Sequence, residues 1–172
     1  DSMALTLLPD ADGAPGTLAQ YIRGAAEVIL EPFQVFNVGD VIDATVQDTV
    51  QSALSAFMLG AGNMLATQFG IAGDPVYVVR PGAELRSTGD LTLASTWDLA
   101  GQRYGGQSGM LTIRSAGDLN FNAGLLDGFV ISGVGTQAKL LQTEGPSWSY
   151  TAVAGADVGS ALPWATTSRG IA

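Results

Sequence analysis

Arg86-Ser87-Thr88-Gly89-Asp90-Leu91 recurs as Arg114-Ser115-Ala116-Gly117-Asp118-Leu119, identical at five of six positions. Leu85 and Ile113 precede the two copies, and Leu91, Leu93 and Leu119, Phe121 alternate after them. One offset, that from Arg86 to Arg114, relates all of these positions. A fixed offset of this size indicates a stacked repeat, in which each unit buries its apolar face against its neighbours. Such a unit suits a scaffold better than a catalyst.

Around the first copy the apolar period is two. Ala83 and Leu85 alternate with Gly82, Glu84 and Arg86, and Leu91 and Leu93 alternate with Asp90, Thr92 and Ala94. This is the pattern of short strands with one buried face. Thr88-Gly89-Asp90 and Ala116-Gly117-Asp118 read as equivalent corners, whose glycines are expected to supply a positive φ. Two strands joined by a Gly-Asp corner and repeated at this offset fit coils of a parallel β-helix, with matching strands about 4.8 Å apart. Arg86 over Arg114 and Asp90 over Asp118 are then expected as outward rows facing water. An antiparallel sandwich competes, but it calls for two-residue hairpin turns rather than corners inside a longer unit.

Working outward, Val76–Val79, Phe129–Ile131, Leu140-Leu141 and Trp148–Val153 are further strand candidates, as are Val28–Leu30 and Phe33–Val38. Residues 41–69 carry a helical period through Ile42, Val46, Val50, Leu54, Phe57, Ala61, Leu65 and Phe69. Asp40 is the expected N-cap and Gly70 the expected stop. The apolar stripe continues through Met58 and Met64, so the helix should lie against the core. Gly60 and Gly62 weaken its middle by about 1 kcal/mol each, which allows a kink. Residues 1–40 read as an irregular lead-in with short strands, 41–72 as an amphipathic helix flanking or capping the core, and 73–172 as the β-helix. Two visible coils are too few for a free-standing solenoid, so the helix, flanking strands or a second copy must complete the core.

Composition narrows the function. Apolar residues make up 47% of the 172 residues, charged residues 13%, and there are 23 glycines, which suits a turn-rich β domain. A net charge of −9 disfavours nucleic acid and anionic membrane surfaces as partners. There is no Cys and no His, which removes disulfides, thiol nucleophiles and Cys/His zinc sites. No cofactor or metal site is expected: phosphate-loop, EF-hand and glycine-aspartate calcium patterns are absent. Asp1-Ser2-Met3 lacks the start of a signal peptide. The uncharged stretch 49–73 is long enough to raise a membrane span, but its polar residues and glycines argue against one.

Val79-Arg80-Pro81-Gly82-Ala83-Glu84-Leu85-Arg86-Ser87, then Gly89-Asp90-Leu91-Thr92-Leu93, resembles the filamentous haemagglutinin family. The likeness continues through Trp97-Asp98-Leu99, Leu111–Leu119, Asp127-Gly128-Phe129, Ser147–Tyr150 and Val153–Asp157, spanning roughly residues 50–160. The resemblance implies a right-handed parallel β-helix in a secreted or surface-bound bacterial exoprotein exported by two-partner secretion. Its implied role is adhesive or structural and non-catalytic. The partners it implies are the rest of a longer exoprotein, other copies stacked end to end, and surface glycans or host receptors. A subunit of a self-assembling extracellular filament is the alternative.

A third reading makes the protein a polysaccharide-binding or -cleaving β-helix. Asp90 and Asp118 hold equivalent positions, and a glycosidase needs two carboxyl groups about 5–9 Å apart in different environments. Turn chemistry explains both residues more simply. Trp97, Trp148, Trp164 and Tyr104 are the aromatic residues to weigh for sugar binding; Trp97, Trp148 and Tyr150 read instead as packing or interface anchors. Trp148 and Tyr150 share strand parity and are expected on one face.

Overall fold

The computed structural model describes residues 13, 16–142 and 145–167. Residues 1–12, 14 and 15 of the lead-in, including Pro9 and Pro15, lie outside them. In chain order the elements are α1 (Leu18–Tyr21), β1 (Val28–Leu30), β2 (Phe33–Asn37), β3 (Val41–Ile42), α2 (Ala44–Gln68), β4 (Tyr77–Val79), β5 (Gly82–Ser87), β6 (Leu91–Leu93), β7 (Trp97–Asp98), β8 (Met110–Ser115), β9 (Leu119–Phe121), β10 (Leu125–Leu126), β11 (Phe129–Ser132), β12 (Lys139–Gln142) and β13 (Ser149–Ala154). The chain is mainly β, with parallel sheets and one long helix.

The strands assemble into separate ladders. The largest has the order β13-β8-β5-β2, a second has β3-β6-β9, and β7 pairs with β10 and β1 with β4. All of these pairings are parallel, and the hairpin β11–β12 is antiparallel. An antiparallel sandwich is therefore set aside. The offset of the sequence repeat governs three ladders at once: Gly82 pairs with Met110, Leu91 with Leu119, and Trp97 with Leu125.

Other passes of the chain keep the pairing but not the offset. In the earlier pass Phe33 pairs with Gly82, and Val28 with Tyr77. This separation is longer because α2 is inserted between β3 and β4. In the later pass Met110 pairs with Ser149, again at a longer separation, because the β11–β12 hairpin is inserted there. Backbone bonds cross these insertions without a break: Gly82 N–H donates to Pro32 O, Met110 to Pro81 O, and Ser149 to Gly109 O. Gly109 has no room for a side chain, since a Cβ there would collide with Pro81 O.

Inward side chains form columns. Ala83 stands beside Leu111, Leu85 beside Ile113, and Ile42 beside Leu93. These residues share one core with Trp97, Leu99 and Trp148. From the helix, Val50, Leu54 and Met58 enter the same core, with Val46 and Phe57 at its edge. Thus α2 packs on β2 and β3, the outermost strands at one end of their ladders. Gln47 reaches further, its Nε2 donating to Ser95 O at 2.7 Å.

The helix departs from its expected form in three ways. It starts later: Asp43, not Asp40, caps it by accepting from Val46 N–H, because Val41 and Ile42 are drawn into pairing with β6. It is continuous through Gly60 and Gly62. Gly62 lies against the Tyr104 hydroxyl, which a Cβ would strike. Its buried stripe includes Met58 but not Met64, which is 57% exposed. Gly70 does end the helix, with φ of +61° and Ile71 N–H donating back to Ala66 O, the bond of a Schellman motif. Among the described residues, no helix is long and apolar enough to cross a membrane.

Candidate functional site

The repeated corner is built by its serine and aspartate. Ser87 Oγ donates to Asp90 O and accepts from Gly89 N–H, which closes the first corner. Ser115 Oγ lies within hydrogen-bond distance of Asp118 O in its own corner and of Gly89 O in the corner below. Asp90 Oδ1 accepts from the amide of Asp118 at 2.8 Å, so one carboxylate joins the two copies. Leu91 and Leu119 pair directly and point inward, Leu91 fully buried and Leu119 partly.

The glycines serve a different purpose from the expected one. Gly89 and Gly117 are not among the glycines with positive φ. Gly117 is needed for space, because a Cβ would collide with Asp90 Oδ1. Gly89 has nothing within reach of a Cβ.

Arg86 and Arg114 do stack in register, but they do not form a water-facing row. Arg114 is 1% exposed. Its guanidinium pairs with Glu84 at 2.9 Å and donates to the carbonyls of Asp157 and Ser160. Arg86 donates to Asn37 Oδ1 and to Val158 O. The segment after β13 folds back over the outer face of the sheet as a strap, and the two arginines hold its main chain. The strap is closed on itself by Asp157 N–H to Ala165 O and Thr167 N–H to Gly155 O. A buried guanidinium is tolerable here because a carboxylate and two carbonyls replace its water.

The aromatic anchors separate. Trp97 and Trp148 are core residues, each with an indole N–H that finds no acceptor among the described residues. Tyr150 is 41% exposed and does not join Trp148 in a packed face. Trp148 precedes β13 and turns into the core, whereas Tyr150 stands at the end of its column, with no strand paired beyond it among the described residues. Trp164 is exposed, and Tyr104 is half-buried against α2.

Sequence reasoning missed one charged cluster. Asp127 is buried, pairs with Arg103 at 3.3 Å and accepts from Trp148 N–H. Arg103 also donates to Ala100 O and Pro146 O. Asp98 accepts from the amides of Ala100 and Gly128. Together they staple three loops. Burial pushes the Tyr150 phenol above its usual range, the nearby Asp127 and Asp98 carboxylates push it further, and Arg103 opposes them. The repeat offset carried a faint signal for the cluster: Asp98 and Leu126 are neighbours in the ladder, and Asp127 follows directly.

Ligand features are sparse. A shallow apolar pocket of about 190 Å³ lies between Leu54, Met58, Leu59, Pro81, Gln102 and Tyr104. Among the described residues, no three His, Cys, Asp or Glu side chains gather as a metal site. No family model, curated protein or solved structure matches the chain, so the likeness to the filamentous haemagglutinin family rests on its residues alone.

Proposed function

We propose that this chain is a non-catalytic structural or adhesive segment of a bacterial extracellular exoprotein, built as a short right-handed parallel β-helix. The observation that carries the reading is the shared register. Three successive strands, β5, β6 and β7, pair in parallel with β8, β9 and β10, and the same offset applies in all three pairs. A chain that revisits three ladders in one order at one offset is winding around a common axis, and parallel crossovers are right-handed in nearly all proteins.

The corner chemistry supports a scaffold. Asp90, the first half of the carboxylate pair considered for sugar cleavage, commits one of its oxygens, Oδ1, to the Asp118 amide. Trp97 and Trp148 are buried in the core, where they offer no ring to a sugar. The outer face of the main sheet is occupied by the strap.

The reading is tested by location. Antibodies raised against the purified chain should detect it on intact cells of the source bacterium or in the culture fluid, and surface proteolysis should remove the signal. Recovery in the cytosol alone would overturn it. The purified chain should also leave a polysaccharide panel uncleaved, and turnover abolished by Asp90→Asn would replace the scaffold with a hydrolase.

A further inference from the structure

We propose that the β13 edge is a self-association surface, through which two copies join as a closed antiparallel dimer. The inference rests on the observed strand order and burial and does not depend on an extracellular location.

The last strand of its ladder is β13, and its outer edge is unpaired among the described residues. The columns that end there lose their cover. Leu85 and Ile113 are buried, but Ala152 beside them is exposed. Ile42 and Leu93 are buried, but Phe121 beside Leu93 is 46% exposed. Natural edge strands are usually protected by charge, proline or a bulge. Ser149–Ala154 contains no charged residue, no Pro and no Gly.

A second copy fits this edge better than the other end. Residues 145–156 are uncharged in a chain of net charge −9, so contact here brings no like charges together along the strand. The opposite end of the ladders is occupied by α2, which obstructs head-to-tail growth. Contact must therefore be between like ends, and a two-fold axis makes the two β13 strands antiparallel.

Face matching then limits the register. Directly opposite residues share a face, so inward must meet inward. Centring the pair on Thr151 places Tyr150 beside the second copy's Ala152, a large side chain against a small one.

Sedimentation over a wide concentration range tests the proposal. The expected result is a monomer–dimer equilibrium that saturates at two chains. Ala152→Lys should abolish the dimer, and Val35→Lys on β2 should leave it intact. Should Ala152→Lys fail to fold, cysteine supplies a second measurement, since the chain contains none. Opposed Thr151 residues would have Cα atoms about 4.5–5.5 Å apart, within disulfide reach. Thr151→Cys should therefore oxidise to a linked dimer, and Val35→Cys should not. Monomers at every concentration, growth beyond two chains, or equal sensitivity to Val35→Lys would each overturn the proposal.

Discussion

The two ends of the ladders are finished differently. At the β2 and β3 end, α2 lays Val50, Leu54 and Met58 over the core, and Ile42 is completely buried. At the β13 and β9 end, Tyr150, Ala152 and Phe121 occupy the same inward columns and stand exposed. The residues are comparably apolar. What differs is whether another element follows in the stack among the described residues. Burial in a stacked structure is a property of the neighbours rather than of the residue itself.

The largest expected effect tests what holds the outer face near the open end. Arg114→Ala leaves Glu84 buried without its partner and releases two strap carbonyls, so it should cost about 3–5 kcal/mol. Urea unfolding would show the loss, and amide exchange should rise across residues 157–165. Retained stability would mean that the strap holds without the arginine.

The ends themselves are compared by Leu93→Ala and Phe121→Ala, neighbours in one column. Leu93→Ala should cost about 2–5 kcal/mol, the range for a filled core position. Phe121→Ala, measured at concentrations dilute enough to hold the chain as a monomer, should cost under about 1 kcal/mol, since much of its ring then meets water. Equal costs would show that the open end is covered in solution.

Two glycines sharpen the account of the covering helix. Gly60 faces open space, so Gly60→Ala should stabilise by about 0.5–1 kcal/mol. Gly62→Ala should destabilise by about 1–3 kcal/mol, because its methyl meets the Tyr104 hydroxyl. Thermal melts of both variants check the contrast.

A smaller difference is expected between the repeated aspartates. Asp90→Ala loses the bond to the Asp118 amide, worth about 1 kcal/mol. Asp118→Ala has no matching bond to lose among the described residues and should stay within about 0.5 kcal/mol. The smallest effect concerns alkaline pH. The folded chain holds the Tyr150 proton more tightly than the unfolded one, whose phenol titrates near 10.0. That contribution is complete below about pH 10 and declines as pH rises further. Tyr150→Phe should flatten the alkaline fall in the urea midpoint; an unchanged slope would show that the phenol is not shielded.

Much of this was legible in the residues. The corner repeat announced β5, β6, β8 and β9, the period of two marked their inward faces, and the helical stripe with Gly70 placed most of α2. The earlier pass was harder to see. Leu30-Glu31-Pro32 and Val79-Arg80-Pro81 begin on the last residues of two paired strands and share an aliphatic-charged-proline pattern, but the inserted helix moved them apart and hid the match. Arg114 was misread for a related reason. Its alternation pointed outward correctly, and nothing local told that a strap from beyond β13 would cover it.

By itself, the sequence determined most of the strands, the two repeated corners and the offset between them, because these depend on side-chain alternation and turn chemistry between near neighbours. The tertiary structure alone decided which arginine is buried, how insertions of unequal length return to one ladder, and which end α2 covers. Those outcomes depend on contacts between distant segments, where the free energy of burial is set by what arrives to exclude the water.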